Sequence, residues 1–186
     1  MIRGNRVYLR AFDVTDIPTR VEWMNNPEVR KMLNAPFPVS ELSTRRWLER
    51  VVADPSQEDY IVCLNESGKA IGYTGFRGID FVNQKAECYI GIGEMEYWGQ
   101  GYGKEVRIMA LAHIFSKYNL NMVFSKIRSD NVASIRMNLS VGFHKDGTVR
   151  HDIFSHGAFR DTVIMTILRR EFVKKYSDIQ LMESLA

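Results

Sequence analysis

Apolar and polar residues alternate in "RVYLRAF" (6–12), a period-two pattern that predicts a strand near the start of the chain. Asp13, with Asp16 three residues on, offers an N-cap and an acidic first turn for a helix reaching about Met24, which Asn25-Asn26-Pro27 ends. After the proline-set loop "NAPFPVS" (34–40), Ser43 can cap "TRRWLERVVA" (44–53), a short helix with Trp47, Leu48 and Val51 facing inward. Three β-like runs follow, "DYIVCLN" (59–65), "AIGYTGFRGID" (70–80) and "KAECYIGIG" (85–93). The first two form a hairpin closed by Glu66-Ser67-Gly68-Lys69, and the third is their neighbour. From Gly103 the period turns helical, with Val106, Met109, Ala110 and Ile114 on one flank and Ile108, Leu111, Ala112 and Phe115 on the other. So wide an apolar surface predicts a largely buried helix. "NMVFSKI" (121–127) reads as a buried strand and "NVASIRMNLSV" (131–141) as a helix stopped by Gly142. "FHKDGTVRHDIF" (143–154) and "AFRDTVIMTIL" (158–168) form a closing strand pair around "SHGA", and the tail from Arg169 reads as a surface helix. The order βαα-βββ-α-β-α-ββ predicts a mixed sheet of about seven strands with helices on both faces, an α/β or α+β fold in one domain spanning residues 1–186.

Charge narrows the partners. The net charge is +3, but the basic residues are scattered and pairs such as Arg45-Arg46 and Lys174-Lys175 are ordinary solvated helix faces, so no nucleic-acid surface is indicated. Cys63 and Cys88, the only cysteines, lie inside β-like runs as small buried side chains and make no disulfide framework, in keeping with a reducing cytosol. The N-terminus lacks an apolar signal region, and no stretch approaches the roughly 18 apolar residues of a membrane span, so a soluble cytoplasmic protein is expected.

The candidate chemistry sits in "EYWGQGYGKEV" (96–106), where Gly99, Gly101 and Gly103 alternate just before the buried helix. First-turn N–H groups lack intrahelical partners and the dipole end is positive, so glycines there suit a phosphate or pyrophosphate cradle, the plain alternative being a flexible connection. A Walker loop needs four residues before its Gly-Lys and then Ser or Thr; here three residues separate Gly99 from Gly103, and Glu105 follows Lys104. A dinucleotide fingerprint needs a small residue where Lys104 stands.

Trp98-Gly99-Gln100-Gly101-Tyr102-Gly103 resembles the acyl-CoA pyrophosphate loop of the GNAT superfamily of N-acetyltransferases, with Trp98 in place of the usual Gln or Arg. "SDNVASIRMNLSVGF" (129–143), "VRHDIFSHGAFRDTVIMTILRREF" (149–172), "RVYLRAF" and "WMNNPEV" are similar to blocks of the branch that acetylates ribosomal-protein N-termini, so the resemblance covers nearly the whole chain. It implies a GNAT fold with splayed central strands and acetyl-CoA as co-substrate. Pantetheine would pair with Ile90, Gly91 and Ile92; Trp98, Gly99, Gln100, Gly101, Tyr102, Gly103 and Lys104 would form the pyrophosphate loop; and Asn131 would touch the cofactor or cap its helix. Gly91 and Gly93 read either as part of that site or as a simple bulge.

The implied reaction is direct attack by an amine in a ternary complex, with no metal and no acyl-enzyme. Ser134 matches the serine of Asn-x-x-Ser and is the candidate acid, beside its reading as an early-helix residue bonding backbone. Related polyamine acetyltransferases place a tyrosine donor where this chain has Asn138, which has no ionisable proton near neutral pH. Glu87, on the same strand face as Tyr89, is the candidate base or else a structural carboxylate. His113 reads as a core histidine, Met122, Met137 and Met165 as core filling, and His151 and His156 lack a third ligand for zinc. Tyr60, Tyr73 and Tyr102 are candidates for the acceptor cleft. The expected acceptor is a protein N-terminal α-amino group. A small amine such as a polyamine, antibiotic or metabolite is the alternative, for which Glu41 and Glu58 would supply carboxylates. A non-catalytic acyl-CoA-binding regulator is the third reading, and a homodimer is compatible with all three.

Overall fold

The computed structural model describes residues 1–33, 37–155 and 157–177. The chain runs through β1 (Ile2–Arg3), β2 (Val7–Ala11), α1 (Ile17–Asn25), α2 (Pro27–Met32), α3 (Glu41–Ala53), β3 (Glu58–Leu64), β4 (Ala70–Asp80), β5 (Lys85–Ile92), α4 (Tyr102–Lys117), β6 (Met122–Arg128), α5 (Val132–Val141), β7 (His144–Ser155), β8 (Ala158–Leu168) and α6 (Arg169–Lys175). The strands form one sheet in the order β1-β2-β3-β4-β5-β6-β8-β7. Every neighbouring pair is antiparallel except β5 and β6, which α4 joins as a crossover.

Helices cover both faces because side chains alternate along the strands. Val62 of β3 belongs to the cluster built on Val106, Ala110, Ile114 and Phe115 of α4, while its neighbours Ile61 and Cys63 join Ile17 and Trp23 of α1 and Leu48 of α3 on the opposite face. The expected mixed sheet with helices on both sides is therefore present, with eight strands rather than about seven. The extra strand is β1, whose two residues pair with Leu9 and Tyr8 and are too few to show alternation.

Three local readings change. Pro27 does end α1, yet it also starts α2: Asn26 is extended, and its side chain accepts from the Glu28 N–H at 2.9 Å. α3 begins earlier than expected, capped by Ser40, with Ser43 reciprocating from the third helical position. α6 is not wholly a surface helix, since Phe172 is fully buried against Phe115, ring centroids 5.6 Å apart. Residues 34–36 of the proline-set loop and His156 lie outside the described residues.

Candidate functional site

β5 pairs with β6 only through Lys85, Ala86 and Glu87, opposite Met122, Val123 and Phe124. From Cys88 onward the two strands part: β5 stays bonded to β4 as far as Ile92, while β6 follows β8 as far as Arg128. Three contacts hold the far end of β5. The Trp98 indole N–H donates to the Ile92 carbonyl at 2.8 Å, and the Gly93 and Glu94 N–H groups donate to the Ile71 carbonyl. Gly91 and Gly93 are glycines for a packing reason that neither earlier alternative supplied. A Cβ at Gly91 would lie 2.6 Å from the Tyr73 ring, and one at Gly93 2.2 Å from the Trp23 indole.

The splay opens onto a cavity of about 530 Å³ lined by Ile90, Gly91 and Ile92 on one side and by Trp98, Gly99, Gly101, Tyr102, Gly103 and Lys104 on the other. Gly99 (φ +72°) and Gly101 (φ +83°) are left-handed, which explains their identity. Gly101 is the N-cap of α4 and brings no side-chain cap; its carbonyl accepts from the Glu105 N–H, so the amides of Tyr102, Gly103 and Lys104 are first-turn donors at the cavity wall. Arg6 fixes this turn from outside, through Glu105 Oε2 at 2.8 Å, the Gln100 carbonyl at 3.0 Å and the Tyr102 ring at 4.2 Å. Gln100 departs from expectation: its side chain turns back to the Glu96 carbonyl and does not line the cavity.

A second cavity, about 290 Å³, shares Met32, Leu33, Ile90, Asn131 and Ser134 with the first. Asn131 caps α5 by accepting the Ser134 N–H at 3.1 Å, which sets Ser134 at the junction of the two. Glu87 and Tyr89 line the second cavity together, as their shared strand face requires. Glu87 is engaged by Arg77 at 2.6 Å, and the Tyr89 hydroxyl donates to Asp59. Burial raises the Asp59 carboxyl pKa, opposed in part by hydrogen bonds from Tyr89 and Gln57. The outer wall carries Tyr73, Trp47 and Arg20, whose guanidinium lies 4.1 Å from the Trp47 ring. The inner wall carries Cys88, Ser125 and Arg107.

Several candidates lie elsewhere. Tyr102 lines the larger cavity and Tyr73 the smaller, whereas Tyr60, Glu41, Glu58 and His113 line neither. Glu58 is the centre of a separate network. Burial would raise its pKa, but bonds from Lys117, Tyr118 and Tyr60 and the nearby His113 hold it well below the usual carboxylate range. His113, partly exposed rather than in the core, bonds Tyr60 at 3.0 Å. Asn138 is fully buried, giving its amide to the Ser134 carbonyl at 2.9 Å. Among the described residues no three His, Cys, Asp or Glu side chains gather as a metal site, and no helix is long and apolar enough to cross a membrane.

The sequence reading missed Asp59, Arg20, Lys126 and Arg107. Only Arg107 left a clear signal, a charge amid the apolar positions of α4. It is 1% exposed.

Comparison with known proteins agrees with this architecture. The profile of the family described as "Acetyltransferase (GNAT) domain" matches residues 6–144. The chain is similar to an uncharacterized N-acetyltransferase, p20, of Bacillus licheniformis, 28% identical over 171 residues that cover 90% of this chain and 95% of that one. It is also similar to the spermidine N(1)-acetyltransferase of Escherichia coli K12, 24% identical over 178 residues covering 95% and 93%. Its fold resembles the crystal structure of spermidine N-acetyltransferase from Vibrio cholerae in complex with CoA and spermine, with TM-score 0.85, 20% identity and coverage of 91% and 99%.

Proposed function

The chain belongs to the GNAT acetyltransferase family, and from that premise we propose that it transfers acetyl from acetyl-CoA to a small primary amine, with the donor in the larger cavity and the acceptor in the smaller. One observation carries this reading: the unpaired edge of β5 beyond Glu87 leads from the left-handed glycine turn to Ser134, where the two cavities meet. An open strand edge offers Ile90–Ile92 for pairing with an extended amide chain, and the first-turn amides of α4 suit a pyrophosphate. The residues present thus fit acetyl-CoA, which supplies the thioester.

The chain's own groups would do the rest. Ser134 would donate a proton to the departing sulfur, and Glu87, held by Arg77, would accept the amine proton directly or through water. Tyr89, backed by Asp59, offers a second hydrogen-bonding group on the same wall. Neither cysteine suits an acyl-enzyme: Cys63 lines neither cavity, and Cys88, at the inner wall of the smaller one, is buried so that its thiol pKa is raised.

The small amine is favoured over a peptide N-terminus because a cavity of about 290 Å³ is near the lower end of small-ligand sites. The relatives named above that carry a substrate act on spermidine, and none carries a ribosomal-protein activity. Two features of a polyamine enzyme are missing from the chain itself: Glu41 and Glu58, the carboxylates that could meet a polycation, lie away from both cavities, and Asn138, in the place of the tyrosine proton donor, has no ionisable proton. The test is CoA release from acetyl-CoA with panels of small amines and of short peptides. Turnover of small amines only is expected; turnover of peptides only overturns the acceptor assignment.

A further inference from the structure

We infer that the acceptor carries an anionic group, a carboxylate or phosphate, close to the amine that is acetylated. The inference rests on the reading that acceptors enter the smaller cavity.

That cavity is lined by five cationic side chains, Arg20, Arg77, Arg107, Lys126 and Arg128, and by one carboxylate, Glu87. Arg77 is paired with Glu87, and Arg128 is bound to Asp130 and to the Lys31 carbonyl. The other three make no ion pair among the described residues. Asp59, the nearby buried acid, is hydrogen-bonded by Tyr89 and Gln57 and also feels the charges of Arg20 and Arg77, so it offsets part of the Arg20 charge and leaves Lys126 and Arg107 without an acid. Arg20 rests on the rings of Trp47 and Tyr73, which hold its position at the cavity wall. Lys126 sits on β6 with its side chain exposed at the cavity wall.

Arg107 is the most telling of the three. At 1% exposure it is among the largest fully buried side chains, yet its Nε and Nη1 have no hydrogen-bond partner. A buried guanidinium with unmet donors is costly unless a ligand completes it. The rest of the wall is uncharged, with apolar side chains such as Trp47, Met24 and Ile127 beside neutral polar ones such as Gln57, Ser125 and Ser134, and supplies no counter-charge. A polyamine would bring further positive charges into this field. An amine carrying an anion would meet Arg20, Lys126 or Arg107 while its amine lies toward Glu87.

The test compares matched amines by initial rate of CoA release: alanine against alaninamide, phosphoethanolamine against ethanolamine, and spermidine alone. The anionic member of at least one pair should have a kcat/KM about tenfold or more above its neutral counterpart, and spermidine should be a poor substrate. Whichever pair responds tells carboxylate from phosphate. Lys126→Glu, an exposed change with little effect on folding, should remove most of that preference through KM. Arg107→Met should do the same if the variant folds. Equal kcat/KM within both pairs, or spermidine as the best substrate, overturns the inference. So does a preference untouched by Lys126→Glu and by Arg20→Gln, which would locate the anion elsewhere. Failure of every small amine while peptides are acetylated overturns instead the small-amine reading beneath it.

Discussion

Replacing Gly101 by alanine and by aspartate separates backbone strain from charge at the glycine turn. Gly101 sits at φ +83°, so any Cβ there costs about 1 kcal/mol of folding stability. The space itself is open, the nearest atom being Arg6 Nη2 at 3.6 Å. Alanine therefore reports the strain, and aspartate adds one negative charge at the N-cap of α4. At roughly 6 Å from a pyrophosphate and an effective dielectric of about 20 to 40, each charge pair contributes about 1.4 to 2.8 kcal/mol. Arg6, already bound to Glu105, offsets part of this. The expected gap between the two variants is about 1.4 kcal/mol, or tenfold in Kd for acetyl-CoA. Calorimetric titrations at about 0.02 M and about 0.5 M salt would measure it, with thermal melts confirming the fold, and the gap should shrink at high salt. Equal affinities for the two variants at low salt would refute the assignment of this turn to the pyrophosphate.

Three further outcomes are expected. Ser134→Ala and Glu87→Gln should each lower kcat by about 10²-fold while acetyl-CoA affinity changes less than about twofold, as single-turnover rates and calorimetry would record; a wild-type kcat removes the residue from the chemistry. Trp98→Phe keeps a ring but loses the 2.8 Å bond to the Ile92 carbonyl, so urea unfolding should show a loss of about 1 kcal/mol together with weaker acetyl-CoA binding. Glu58→Gln should destabilise the fold by about 2 kcal/mol near neutral pH. Because the folded-state pKa of Glu58 is depressed, its stabilisation is full above the unfolded value of about 4.3 and fades as pH falls toward the folded one, so the gap between wild-type and variant melting temperatures should begin to narrow below about pH 4 and keep narrowing as the pH falls further.

What the sequence made legible was local. The glycine turn, the Asn131 cap and the apolar flanks of α4 each involve neighbours within a few positions, and the structure places them as expected. The two-residue β1 and the helix begun by Pro27 were missed because one is too short for a period and the other hides behind a helix stop. The acceptor side was opaque for a different reason. Tyr73 explains Gly91 only through the β4–β5 register, Asp59 meets Tyr89 two strands away, and Arg20 reaches the cavity from α1 across the sheet face. Such meetings depend on long-range pairing that no window of sequence displays. Arg107 was visible as an anomaly, a charge on a buried helix, but its neighbours Cys88 and Ser125 come from the two strands that part above it.

The most direct measurement is a crystal structure of the protein soaked with acetyl-CoA. The pyrophosphate should lie on the amides of Tyr102, Gly103 and Lys104, the pantetheine amides should pair with the β5 edge at Ile90–Ile92, and the sulfur should come within hydrogen-bond reach of the Ser134 hydroxyl. Acetyl-CoA bound away from the splay between β5 and β6, or with its sulfur remote from Ser134, would contradict this placement.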